Sequence, residues 1–101
     1  MEDNVLELGG NIELSGFSGL DGGTMIILKK IIGNHVKRMT LKSNKFEKLS
    51  LSMKTVHNNQ FELHAKMLDN GHAYTSELVE RNIFSGVDGV LKKIMNAMGK
   101  V

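Results

Sequence analysis

The alternation of apolar and polar positions is clearest from Gln60 to Arg81, where two strand-like runs meet at Asn70-Gly71. Asn-Gly suits a two-residue type I′ turn, which needs positive φ at both central positions. That turn sets Asp69 opposite His72, Met67 opposite Tyr74, Ala65 opposite Ser76 and Leu63 opposite Leu78. Phe61, Leu63, Ala65 and Met67 then share a face with Tyr74, Ser76 and Leu78. Glu62, His64 and Lys66 lie on the other face, with Val79, Glu77 and Thr75. One apolar and one polar face predict an antiparallel sheet covered on one side only.

The same period of two runs from Phe46 to Val56, where Leu49, Leu51 and Met53 alternate with Lys48, Ser50, Ser52 and Lys54. Odd positions face inward here and in the run after Gln60, so an odd-numbered loop fits. His57-Asn58-Asn59 supplies it, with Asn59 expected in the left-handed region. Upstream, Ile12, Leu14 and Phe17 predict a strand centred on Asn11 to Phe17, with Gly9-Gly10 read as a bend before it.

Two stretches switch to helical spacing. Met25, Leu28, Ile32, Val36 and Met39, with Ile31 beside them, predict a helix from Thr24 to about Thr40, with Asp21 as N-cap. Ile26 points outward. Gly33 in the middle costs about 1 kcal/mol against alanine, and close packing is the account expected for it. Asn82 caps a second helix, whose stripe is Phe84, Val87, Leu91, Ile94 and Met98, supported by Val90 and Met95. Ser85, Gly89, Lys93, Asn96 and Lys100 lie opposite, and Asp88 and Lys92 are spaced for an i,i+4 pair. The fold class is therefore α+β, in the order β-α-β-β-β-α. It is a two-layer sandwich, a four-stranded sheet with both helices on its apolar face.

Composition changes this picture little. The 101 residues suit one domain, 1–101, and the formal net charge is only +2. Distribution says more: Glu2, Asp3, Glu7 and Glu13 fall early, while Lys29, Lys30, Lys37, Arg38, Lys42 and Lys45 fall in an acid-free run. There is no cysteine, which excludes disulfides, thiol catalysis and cysteine-ligated metal. The acidic start does not read as a signal peptide, and no apolar run is long enough to span a bilayer. The expectation is a cytoplasmic protein with no membrane partner.

The element order and one segment, Asn82-Ile83-Phe84-Ser85-Gly86-Val87-Asp88-Gly89-Val90-Leu91-Lys92-Lys93-Ile94, carry a resemblance. The chain resembles the short ribosome hibernation-promoting and ribosome-associated translation-inhibitor family, whose fold is similar to a double-stranded-RNA-binding domain with an extra first strand. In that family the last helix opens with Asp, a hydrophobic residue, Tyr, two small residues, Ile and Asp, and then reaches Asp-Lys-Leu. Asn82 stands at the cap, Phe84 at the tyrosine, Ser85 and Gly86 at the small pair, Asp88 at the aspartate and Lys93 at the lysine. His35 and Arg38 fall near the basic residues late in the family's first helix, and Asn96 stands where arginine is frequent.

The resemblance implies a non-catalytic protein that occupies the mRNA and tRNA channel of the small ribosomal subunit, inhibiting translation and stabilising idle ribosomes under stress. It implies rRNA as partner, held by Lys and Arg on phosphates. It implies no cofactor, no small-molecule substrate, and a monomer or weak homodimer. The candidate RNA-binding residues are Lys29, Lys30, Lys37, Arg38, Lys92, Lys93 and Lys100. The alternatives are a general double-stranded-RNA-binding module or a protein-interaction module of the same fold.

Other candidates are more simply structural. The four histidines lack metal-ligand spacing, so no metal or catalytic site is expected. His64 reads as a cross-strand partner of Glu77, and His35 as a core-edge residue. Gly22-Gly23 before the first helix has no P-loop lysine, and a plain turn is the simpler reading. Met25, Met39, Met53, Met67, Met95 and Met98 fall on inward positions and read as core filling.

Overall fold

The computed structural model describes residues 5–99, with side chains from Leu8 onward. Its elements are β1 (Val5–Leu8), β2 (Ile12–Ser15), α1 (Gly22–Lys42), β3 (Phe46–Val56), β4 (Gln60–Asp69), β5 (His72–Glu80) and α2 (Ile83–Met98). The strands form one sheet in the order β1-β2-β3-β4-β5. The expected α+β class holds, and the four expected strands are all present. The addition is β1, a fifth short strand at the edge. Gly9 and Gly10 both have positive φ, 68° and 85°. That reverses the chain fully, so Leu8 pairs with Ile12 rather than leading into it through a bend.

The β4–β5 register is the one the Asn70-Gly71 turn dictates, with Asp69 opposite His72 and Leu63 opposite Leu78. Asn70 and Gly71 take φ of 52° and 84°. Three residues join β3 to β4, and Val56 pairs with Gln60. Both Asn58 and Asn59 are left-handed, not Asn59 alone. β2 and β3 run parallel, so they need a crossover, and α1 supplies it. At the end of β2, Gly16 has φ of 84° and backs directly onto the Met53 carbonyl, an approach only glycine tolerates.

Both helices cover the same sheet face. α2 lies over β4 and β5, while α1 packs beside α2 and reaches β3. The core joins Leu14, Leu49, Leu51, Leu63 and Met67 of the sheet to Leu28, Ile32, Met39, Val87, Leu91 and Ile94 of the helices. Ser76, the polar residue on the inward face of β5, is satisfied by donating to the Val90 carbonyl at 2.8 Å. The outer sheet face stays polar and open to solvent, as its alternation predicts.

Helix α1 runs slightly past the predicted ends at both termini. Asp21 takes the N-cap position and its carbonyl accepts from Met25 N at 3.0 Å; its carboxyl is held below its usual range chiefly by Thr24 and also by first-turn amides, without a side-chain cap of standard hydrogen-bond geometry. Asn82 does cap α2 with its side chain, accepting from Phe84 N at 2.9 Å and Ser85 N at 3.0 Å. Ile83 is buried and Phe84 is half-buried, so the α2 stripe is turned by one residue from its predicted start. Gly33 needs another account, because a Cβ there would meet nothing within 4 Å.

Candidate nucleic-acid interface

The sheet geometry divides the charges. On the outer sheet face, Lys48, Lys54 and Lys66 are interleaved with Glu13, Glu62 and Glu77. Lys48 pairs with Glu13 at 3.1 Å. His64 lies between two carboxylates, 2.7 Å from Glu62 and 3.4 Å from Glu77. The His64 hydrogen bond, with Lys54 nearby, holds the Glu62 carboxyl below its usual range. The cross-strand pair expected of His64 is thus present, with a second carboxylate added. Among the described side chains, this face carries three lysines against three glutamates.

The helical layer differs. α1 presents Lys29, Lys30, Lys37, Arg38 and Lys42, and α2 presents Lys92 and Lys93, all exposed. Asp88 is the one acidic residue on either helix. The reason is local. Helical spacing turns the apolar stripe to the sheet, so the lysines and the arginine of these segments are kept off the buried side of each helix. Lys30 and Lys37 stand two turns apart on α1, about 10 Å along the axis.

Within this layer the cations are not equivalent. The side chains of Lys29, Lys30, Lys37 and Arg38 make no hydrogen bond or ion pair with any other described residue. They are free to meet a partner without first breaking a bond. Lys92 pairs with Asp88 at 3.2 Å, as its spacing predicts. Lys93 donates to the Glu77 backbone carbonyl at 3.0 Å, an interaction no sequence spacing signals. Lys100 lies outside the described residues, as do Glu2 and Asp3. Lys42 joins the patch because α1 continues one turn further along the Arg38 side than the apolar stripe requires.

Asp88 is engaged elsewhere as well. His35 on α1 is only 3% exposed. Its Nε2 lies 2.7 Å from Asp88 Oδ1, tying the two helices together. His35 is therefore interior, not at the core edge, and its Nδ1 is buried without a partner. The hydrogen bond from His35, reinforced by Lys92, holds the Asp88 carboxyl below the usual range. The sole acid of the helical layer is thereby held between His35 and Lys92, so on the surface it offsets Lys92 and leaves the α1 cations unpaired. Among the described residues, no group of three or more His, Cys, Asp or Glu is arranged to hold a metal. No helix among them is long and apolar enough to cross a membrane.

Compared with known proteins, the chain matches no family model and no curated protein. A functional reading therefore has to be argued from the residues, their arrangement and the resemblance of the α2 segment.

Proposed function

We propose that the chain is a non-catalytic ribosome-binding protein that sets its helical layer against rRNA phosphates of the small subunit. In this reading it occupies the mRNA and tRNA channel, inhibits translation and stabilises idle ribosomes. The observation that carries it is the separation of charge between the two layers. A chain with net charge of only +2 still offers one face on which Lys29, Lys30, Lys37 and Arg38 are unopposed and unpaired. Exposed cations with no internal partner can release counterions from a polyanion, the main source of phosphate affinity. The resemblance of the α2 segment to hibernation factors supplies the choice of ribosomal over other RNA. Binding to any RNA duplex is disfavoured, because α2 opens Asn82-Ile83-Phe84-Ser85 with no lysine in its first turn to clamp phosphates.

Co-sedimentation with purified small subunits tests the reading. The expected result is co-migration at low salt that weakens as salt rises. In Lys37→Glu/Arg38→Glu, binding falls and the salt slope shrinks by about 0.7–0.9 for each phosphate the variant no longer neutralises. A protein that stays at the top of the gradient at low salt, or a folded double variant that binds like wild type, overturns it. Equal affinity for a plain RNA duplex replaces it with the general RNA-binding reading.

A further inference from the structure

We propose that β5 is a self-pairing edge for a second copy of this chain and that Lys93 holds the edge closed. Such pairing is independent of the ribosome reading.

The turn before β5 decides which of its backbone groups face outward. The two-residue turn makes Asp69 and His72 a hydrogen-bonded pair, so Ala73, Thr75, Glu77 and Val79 turn their N–H and C=O away from β4. The Lys93 bond to the Glu77 carbonyl agrees, since it reaches that carbonyl from the open side. β5 is a nine-residue edge strand with no proline and no lysine of its own. Proline and lysine are two of the usual blocks to edge pairing, and the charges the strand does carry are Glu77 and Glu80.

The strand is also complementary to itself. Antiparallel pairing about Ser76 uses its full length and sets His72 against Glu80, Ala73 against Val79, Tyr74 against Leu78 and Thr75 against Glu77. Each outward-facing residue then opposes another, giving about eight interstrand hydrogen bonds at two per hydrogen-bonded pair. Val79, at 49% exposure one of the few large apolar side chains left in solvent, gains the partner's Ala73 as neighbour. On the other face, half-buried Tyr74 and Leu78 extend the apolar surface under the helices.

The helices fit the same arrangement. α2 lies over β4 and β5, so the two copies of α2 would stand about two strand spacings apart, ~10 Å. Packed helices sit about 8–10 Å apart. On the side of α2 next to β5, Gly89 backs onto Leu78, and Lys93 is the long side chain there. It reaches over the edge, and with Glu62, Glu77, Leu78 and Val79 it lines a hollow along the β5 edge. A partner's Thr75 N–H needs the same Glu77 carbonyl that Lys93 now occupies.

Sedimentation velocity of the full chain across a concentration series tests this. Lys93→Ala and Lys93→Gln should self-associate more tightly than wild type by roughly tenfold or more, the change expected from removing one charged hydrogen bond per copy. Adding Thr75→Pro, which removes an outward N–H, should restore wild-type behaviour. The chain has no cysteine, so Thr75→Cys can carry a single spin label. In the Lys93→Gln dimer two labels meet diagonally, about 7–8 Å apart at their attachment points, and the spectrum broadens. The proposal is overturned if folded Lys93 variants associate no more than wild type. It is equally overturned if their association survives Thr75→Pro, or if the labelled dimer shows no broadening.

Discussion

Gly33→Ala should stabilise the protein. Glycine in the interior of a helix is costly because folding removes its large backbone freedom, and that cost is normally kept for a reason. The reason expected from sequence was close packing. Instead Gly33 is exposed, its φ lies outside the left-handed region, and an added Cβ meets nothing within 4 Å. No steric term opposes the methyl group, so the gain is the full propensity difference, about 0.8–1 kcal/mol. At the Tm that corresponds to a rise of about 4–8 °C for a domain of this size. Urea unfolding followed by circular dichroism should show a higher midpoint with an unchanged slope. Gly86→Ala is the control. It has the same backbone benefit, but its Cβ would lie 2.5 Å from Leu63 Cδ1 and 3.3 Å from Glu80 Cβ. Overpacking of that kind costs about 1–3 kcal/mol, so the benefit is cancelled or reversed. If Gly33→Ala leaves the midpoint unchanged or lowers it, the assignment of Gly33 as an unopposed helical glycine is wrong.

Three further outcomes rest on particular residues. Asp88 has its carboxyl lowered chiefly by His35, so its contribution to stability is complete above the unfolded value of about 3.9 and is lost as pH falls through the lower folded value. The stability difference between wild type and Asp88→Asn, from urea titrations between neutral and strongly acid pH, should shrink as pH drops; a constant difference refutes this. Asp69→Ala should cost about 2 kcal/mol, because buried Asp69 accepts from Lys45 N at 2.8 Å and Asn44 N at 3.1 Å, and both amides are left without that acceptor; a thermal midpoint like wild type refutes it. Gly71→Ala should cost about 1 kcal/mol through its φ of 84° alone, since the space around it is open. Chemical denaturation that detects no loss refutes the type I′ turn.

Much of this fold is legible in the sequence where a signal is local. Asn70-Gly71 pins the register of two strands, and a one-residue slip would turn every apolar side chain to solvent. The three-residue loop follows from parity alone. β1 is harder to read because four residues before a Gly-Gly pair do not separate a bend from a reversal. The His35–Asp88 bond depends on how two helices dock, which no spacing within either helix records. The basic layer is readable as a period. What the period omits is that Lys92 and Lys93 are already engaged while the α1 cations are not. Lys93 is the clearest case, since its bond depends on which edge of β5 faces outward.

The parallel pairing of β2 with β3 has a kinetic consequence. Ile12 lies beside Leu49 with all of α1 between them, whereas β3, β4 and β5 are joined by short turns and α2 follows directly. Loop-closure entropy favours the local pairings, so the meander from Phe46 with α2 should assemble first and the β1-β2-α1 segment should dock onto it last. Pulsed hydrogen exchange during refolding should therefore protect β4 amides before those of β2, and the reverse order would exclude this route. The last segment to dock carries most of the free cations, so the basic surface proposed to meet RNA would be completed only when the sheet is.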